Sequence, residues 1–154
     1  MMESYTLRGM YEAVADVTIT FVNRMDEAKT AKVFDIDSGV ASVTDADCPA
    51  RIMAPHYGAQ DISGVVSMTL GHNVSQQVFQ LTELYLYQPV TAGEGVRAWL
   101  GDLVDIADVY LAMVNQMQFG RGVLTGANLS IQSIEYGKIL YAGIVISMTI
   151  QVTS

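Results

Sequence analysis

The segment near residue 150 constrains the fold most, because apolar and mainly polar positions alternate along it. The apolar side chains at every second position are Ile144, Ile146, Met148, Ile150 and Val152. The positions between them hold Val145, Ser147, Thr149 and Gln151. A period of two is that of a β-strand with one buried face. Residues 135–152 are therefore predicted to form a strand, a short turn and a closing strand.

Other segments supply the rest of an α+β domain. Further strands are predicted at 32–36, 50–54, 64–70, 78–87 and 129–134, and long helices at about 5–25 and 92–119. The polar residues 71–77 join two of these strands as a hairpin, and apolar residues on both faces of 78–87 indicate a central strand. We expect a single domain, residues 1–154, with a mixed, mainly antiparallel sheet, two main helices on one face and a closing C-terminal β-hairpin.

The first helix is predicted from apolar residues at steps of three and four. These residues are Leu7, Met10, Val14, Val17, Phe21 and Met25. They fall on one stripe of a helix. The β-branched run 17–20 opposes the prediction, because such side chains lose rotamer freedom against the preceding helical turn.

The second helix is predicted to begin at a capping box formed by Thr91 and Glu94. Its apolar stripe comprises Val96, Trp99, Leu103, Ile106, Tyr110, Val114 and Met117, with Gly120 and Gly122 as its terminators. On the opposite side we place Asp102, Asp105 and Asp108. Like charges at steps of three do not stabilise a helix. They are either a solvated face or a charged wall kept for function.

The amino-acid composition favours self-association and argues against nucleic-acid binding. Apolar residues make up 51% and charged residues only 16%, so part of the apolar surface is expected to be covered by other subunits. The formal net charge of −8 would repel DNA rather than hold it. The sequence contains no apolar run long enough to span a bilayer and no signal-peptide pattern. We therefore expect that the protein does not associate with a membrane.

Sequence motifs for catalysis, metals or cofactors are absent. The two histidines, His56 and His72, fall in predicted loops, where a surface position is the simpler interpretation than a hydrolytic site. Asp35 and Asp37 are better explained as a polar loop start than as an acid/base pair. Cys48 is the only cysteine, so it cannot form an intrachain disulfide. We predict no enzyme, no cofactor and no metal site.

The order of elements resembles that of siphophage tail terminator, or tail completion, proteins. The resemblance covers nearly the whole chain. It is carried by the short strand bounded by Pro49 and Pro55, the strand ending Leu84-Tyr85-Leu86-Tyr87 that feeds a long helix, and the closing segments Glu135-Tyr136-Gly137 and 141–146. The connection 37–49 and the loop 71–77 depart from the family pattern, so the docking loops are not assigned.

The resemblance implies a structural virion protein in head-tail joining. It implies a homo-oligomeric, hexameric ring that caps the tail tube protein and meets the head-tail connector or stopper. DNA would pass through the lumen without specific binding, and Asp102, Asp105 and Asp108 are candidate lumen-facing residues. The protein would belong to the virion tail or neck, and to the host cytoplasm during assembly.

Two alternatives stay open at this point. One is another neck or tail protein, such as a stopper or a tube subunit, and a tube subunit would grow into filaments. The other is a small-molecule-binding or hydrolytic α+β domain that uses the loops of His56 and His72. A compact monomer with both histidines in one pocket would favour that second alternative.

Overall fold

A computed structural model describes residues 6–37, 43–53, 64–71, 74–91, 93–114, 116–117 and 119–153. The helices are α1 (Leu7–Ala15) and α2 (Leu100–Val114). The strands are β1 (Thr20–Val22), β2 (Ala28–Thr30), β3 (Lys32–Phe34), β4 (Ala50–Met53), β5 (Gly64–Gly71), β6 (Val74–Pro89), β7 (Val123–Tyr136) and β8 (Ile139–Thr153). Strands β1 and β2 form a separate hairpin. The others form a six-stranded sheet of order β3-β4-β6-β8-β7, in which β5 also pairs with β6.

The sheet is mixed and mainly antiparallel, because only the β3–β4 pair is parallel. With two helices, this confirms the predicted α+β class. The hairpin predicted from 64–70 and 78–87 is also confirmed, although β6 already begins at Val74 and the connection is shorter than expected. Sequence alone could not locate that start, since register depends on the partner strand.

Strand β6 is the centre of the sheet, and two strands share one of its edges. Strand β5 pairs with β6 as far as Leu81, and β4 pairs with it from Glu83 onward. Between them, the backbone N–H of Thr82 donates to the hydroxyl of Tyr11 on α1, at 3.0 Å. A side chain thus satisfies the one backbone donor at this junction, as buried amides require.

The closing hairpin of β7 and β8 confirms the predicted alternation. The five apolar side chains from Ile144 to Val152 are at most 4% exposed, whereas Ser147 on the opposite face is exposed. Gly143 lies where β8 approaches the carbonyl oxygen of Tyr85 closely, and a Cβ atom there would collide with it. Strand β7 begins at Val123, six residues before the predicted Leu129.

The first helix is much shorter than predicted. It ends at Ala15, and the β-branched run that opposed the helix leads into β1, which pairs with β2 in the hairpin β1–β2. Thr6 caps the helix through its hydroxyl, which accepts from the N–H of Gly9 at 3.0 Å. Packing of Phe21 edge-on against the ring of Tyr87 adds a tertiary contact that favours the strand.

The second helix is also shorter than the predicted 92–119, because it begins at Leu100 and ends at Val114. A 3-10 turn, Gly95–Trp99, precedes α2, and no side chain caps it at Glu94. The predicted capping box is therefore wrong, and backbone hydrogen bonds from Glu94 and Gly95 to the carbonyl of Thr91 take its place. The apolar stripe is confirmed, since Leu103, Ile106, Tyr110, Val114 and Met117 are all buried and Val96 and Trp99 are half-buried against them.

Two apolar clusters lie on opposite faces of the sheet. The larger one packs α1, α2 and the hairpin β1–β2 against one face, through Leu81, Tyr85 and Ile146 among others. The smaller one occupies one end of the other face. It contains Val43, Ala50, Ile52, Leu84, Leu86, Ile134, Tyr136 and Tyr141. The hydroxyl of Tyr141 donates to the carbonyl of Val43 and ties a loop onto this cluster.

Candidate functional site

The outer edge of β7 is open. Within the described residues, β7 pairs with β8 alone, and most of its side chains are exposed. Its fourteen residues include a single charged side chain, Glu135, and no proline or lysine. Edge strands usually carry such residues, or a bulge, to prevent pairing with another chain. Only a bulge near Leu124 is present, so the remaining edge can accept a further strand.

On β6, β7 and β8, the sheet face opposite the helices carries an uncharged, mainly polar surface, whereas the charged Lys32 lies on the same face at the far edge, on β3. The members of this surface beyond the smaller apolar cluster are Val78, Gln80 and Thr82 of β6, Asn128, Ser130 and Gln132 of β7, and Ser147, Thr149 and Gln151 of β8. None of these nine side chains is acidic or basic, although the chain as a whole has a net charge of −8. The acidic residues are therefore concentrated elsewhere, and this face suits neutral hydrogen bonding.

The three aspartates of α2 do not share one face. Asp105 and Asp108 are exposed, but Asp102 is only 7% exposed and accepts a hydrogen bond from the hydroxyl of Tyr87 at 3.1 Å. The prediction that all three lie opposite the apolar stripe is thus wrong for Asp102. Beside the two exposed aspartates lie Val104 and Leu111, which are 45% and 48% exposed. The outer surface of α2 is therefore mixed apolar and acidic.

A cleft of about 340 Å³ lies between the hairpin β1–β2, the start of α2 and the end of β6. Its lining comprises Asn23, Arg24, Met25, Glu27, Lys29, Cys48, Pro49, Tyr87, Gln88, Pro89, Trp99 and Asp102. The Tyr87 and Trp99 rings meet edge to face at 5.8 Å, and the guanidinium of Arg24 lies 5.7 Å from the Trp99 centroid. Burial, followed by the Asp102 carboxylate, raises the pKa of Tyr87 to about 12, so its hydroxyl stays protonated and donates.

A buried ion pair joins the helices to the sheet. Arg51 and Glu83 are both 0% exposed, and Nε of Arg51 lies 2.6 Å from Oε1 of Glu83. The same guanidinium donates to the hydroxyl of Tyr110 at 3.1 Å and to the carbonyl oxygens of Val14 and Val17 at the end of α1. Such full burial leaves no path to a substrate, so the network is structural. Sequence reasoning missed both charged residues.

Glu83 should make stability depend on pH. Burial raises its pKa from an ordinary 4.5 to about 7, although the charge of Arg51 and its hydrogen bond favour the carboxylate. The folded state then holds a proton that the unfolded state has lost, so this group lowers stability as pH rises from about 4.5 through 7. The cation of Arg51 contacts it directly, and Tyr11 and Tyr85 are near enough to sense its charge. The Nε of Arg51 also donates to the hydroxyl of Tyr110.

We expect the free energy of unfolding of wild type, measured by urea titration from pH 5 to pH 8, to fall relative to that of Glu83→Gln. The amide cannot titrate, so the variant lacks this contribution. Asp105→Asn, an exposed carboxyl on α2, serves as the control and should follow wild type. Parallel curves for wild type and Glu83→Gln would contradict the raised pKa.

The remaining candidates from the sequence are the two histidines and the pair Asp35 and Asp37. His56 and His72 lie outside the described residues. Asp35 accepts the backbone N–H of Asp37 at 3.0 Å, and Asp37 pairs with Arg8 at 2.7 Å, so both hold a turn. The part of the chain that the structure describes contains no group of three or more side chains suited to a metal ion. In that same part, neither helix is long and apolar enough to cross a membrane.

The chain was also compared with known proteins. No model of a protein family matches it, and no curated protein matches it significantly. The features of the described chain that bear on its function are the open edge of β7, the uncharged sheet face and the cleft.

Proposed function

We propose that the protein is a ring-forming structural subunit of a bacteriophage tail, acting as the tail terminator that caps the tail tube and joins it to the head connector. The observation that carries this proposal is the open, almost uncharged edge of β7. A strand edge of this length, with Glu135 as its only charged side chain, has little to oppose pairing with another copy of the chain. Repeated pairing of this kind generates a ring where the rotation between copies closes.

A head-to-tail ring needs two different patches, and the sheet order supplies them. Strand β7 bounds one side of the sheet, while β3, with β5 on the same side of β6, bounds the other. Because these edges lie on opposite sides, the β7 edge of one copy can meet the β3 or β5 side of the next. Such a contact is heterologous, which is the type that forms closed rings or open filaments. It also accounts for the apolar excess of the chain.

Exposed apolar side chains support further subunit contacts. Val22 and Met25 on the hairpin β1–β2 are 57% and 68% exposed, and Val123 at the start of β7 is 62% exposed. These residues lie on separate parts of the molecule rather than in one patch. A ring that stacks between a tail tube and a connector would use several such surfaces, which is consistent with their distribution.

The lumen of the proposed ring has two candidate linings. Asp105 and Asp108 remain candidates for an acidic wall, whereas Asp102 is withdrawn because it is buried against Tyr87. The uncharged sheet face is the other candidate, since amides and hydroxyls also lack the cations that bind phosphates. Either lining would let DNA pass without specific binding. In this proposal the protein is not an enzyme, and its place is the virion neck, with assembly in the host cytoplasm.

The proposal is tested by the native mass of the purified protein and by the symmetry of particles under the electron microscope, with and without tail tubes. We expect a closed ring, most simply of six copies, either free or on a tube end. A monomer both in solution and on assembled tails would overturn the proposal. Growth into filaments would instead favour a tube subunit.

Lysines on the β7 edge should weaken self-association. The variant Asn128→Lys/Ser130→Lys adds two exposed like charges to an edge that would meet a second copy, where they disfavour pairing. We expect association weaker by about tenfold or more, equivalent to ~1.4 kcal/mol. Sedimentation velocity over a concentration series measures this change.

The matched control is Ser147→Lys/Thr149→Lys. It places two lysines at the same spacing on the same face, but one strand inward on β8, which is already paired on both sides. This variant should associate more like wild type. Equal weakening by both pairs would mean that the face, rather than the edge, makes the contact.

A further inference from the structure

The β7–β8 turn and the cleft lie at the same end of the sheet. The turn, residues 137–138, follows Tyr136, which pairs with Ile139. At this end β6 finishes at Pro89, and Cys48 and Pro49 immediately precede β4. In the sheet order, β4 and β7 are separated by β6 and β8. The turn and the Cys48 side of the cleft therefore lie on opposite lateral sides of one sheet end.

The turn presents a cation and an apolar side chain to solvent. Gly137 and Lys138 both have left-handed backbones, with φ of 60° and 71°. Positive φ at both positions is what a tight two-residue hairpin turn requires, so the turn is short and the Lys138 side chain projects from the end of the sheet. Lys138 is exposed and makes no salt bridge within the described part of the chain, and Ile139 is 38% exposed.

The cleft offers groups that match such a pair. Asp102 is only 7% exposed but lines the cleft; one of its carboxylate oxygens accepts from Tyr87, and the carboxylate has further acceptor capacity. Trp99 and the exposed Met25 provide aromatic and apolar walls. The cleft also carries two cations: Arg24 is stacked on Trp99, and Lys29 is paired with Glu27 at 3.2 Å. The cleft also contains two carboxylates, Glu27 and Asp102, so its net charge is close to zero. Apolar contacts would therefore supply much of the binding energy.

We propose that the β7–β8 turn of one copy docks into the cleft of the next, with Ile139 against the Met25 and Trp99 walls and Lys138 directed to the Asp102 carboxylate. This inference rests on the proposed ring. The occupant is a second copy because the turn continues the β7 edge, which is already the proposed interface. Docking at the end of that edge would fix the register between neighbouring sheets, which pairing along an uncharged edge leaves weakly specified.

The natural Cys48 in the cleft wall makes a direct test possible. In Lys138→Cys, oxidation should join Cys48 of one copy to the new thiol of the next and give a ladder of covalent oligomers on a non-reducing gel. Within one copy the two positions are two to three strand spacings apart, roughly 10–14 Å. That exceeds the ~7 Å between Cα atoms that a disulfide can span, so an intrachain bond is excluded. Ile139→Cys is a second variant if the turn does not tolerate the first.

Two controls fix the interpretation. Lys138→Cys combined with Cys48→Ser should give no ladder, and Asn128→Cys, about ten residues away along β7, should give far less than Lys138→Cys.

A wild-type oligomer in solution whose Lys138→Cys and Ile139→Cys variants form no ladder would overturn the docking while leaving the ring intact. A free protein that is monomeric at all concentrations also overturns the docking, and the tube-end experiment then decides the ring separately. A small molecule found in the cleft of the wild-type oligomer, excluding the turn, would likewise contradict it.

Discussion

Replacing Arg51 with methionine is expected to lower the free energy of unfolding by about 3–5 kcal/mol at pH 8, because the change leaves the Glu83 carboxylate buried without its partner. The side chain of Arg51 is 0% exposed, so water cannot substitute for the lost hydrogen bonds. The carbonyl oxygens of Val14 and Val17 also lose the hydrogen bonds from Arg51, and the Val14 oxygen keeps the one from the backbone N–H of Val17. The loss should be smaller at pH 5, where Glu83, with a pKa raised to about 7, can take up a proton.

Urea denaturation at one fixed protein concentration measures this effect, since association would otherwise contribute to stability. Arg8→Met is the matched control: Arg8 also pairs with an aspartate, Asp37, at 2.7 Å, but both side chains are more than half exposed. Exposed pairs contribute little, so this variant should stay close to wild type. The double variant Arg51→Met/Glu83→Met should regain much of the lost stability. Equal loss in the single and double variants would contradict the account of an unpaired charge.

The closing hairpin could be predicted because its signal is local. Alternation from Ile144 to Val152 states which side chains face the core without knowledge of any partner strand, and the structure buries those side chains. The same holds for the stripe of α2, where Leu103, Ile106 and Tyr110 recur at helical spacing and are buried. Periodicity therefore identified the elements whose one buried face is defined by neighbouring residues alone.

The first helix was predicted too long because two local signals conflicted. Apolar spacing up to Met25 favoured a helix, whereas the run 17–20 favoured a strand. Tertiary contacts decided between them. Strand β1 gains its partner β2, and Phe21 packs against Tyr87, which is distant in sequence. Neither contact can be inferred from a window of residues around position 20.

The buried ion pair had a weak signal that was not used. Glu83 lies on the same face of β6 as Leu81 and Tyr85, which is an inward position for a charged side chain. Arg51 likewise lies between the apolar residues Ala50 and Ile52. Two opposite charges at inward positions suggest a pair, but their separation of 32 residues hides the pairing until the sheet order is known.

Asp102 illustrates the same limit on a helix. It lies four residues before Ile106, so it borders the buried stripe rather than opposing it, as the structure confirms. Its hydrogen bond to Tyr87 reaches the end of β6, and this contact fixes its role. The spacing of the three aspartates suggested one charged wall, and only Asp105 and Asp108 remain available for it.

Substituting Asp for Ile146 should lower the free energy of unfolding by several kcal/mol, on the order of 3–5. Ile146 is 1% exposed and lies in the larger apolar cluster, opposite Glu83 on β6 and Leu129 on β7. A carboxylate there would be buried without a cationic partner of its own, and it would stand beside a residue that is already acidic. Thermal or urea unfolding at fixed protein concentration measures the loss.

The matched control for Ile146→Asp is Ser147→Asp, one residue along the same strand. Ser147 is exposed on the opposite face, so the same new charge remains in water, and a change within about 0.5 kcal/mol is expected. The contrast between the two variants tests the register directly, because a slip of one residue would exchange the two faces of β8. If Ser147→Asp were the damaging change and Ile146→Asp the tolerated one, the strand would present its other face to the helices. The uncharged polar surface would then be the buried one, and the assignment of both faces would fail together.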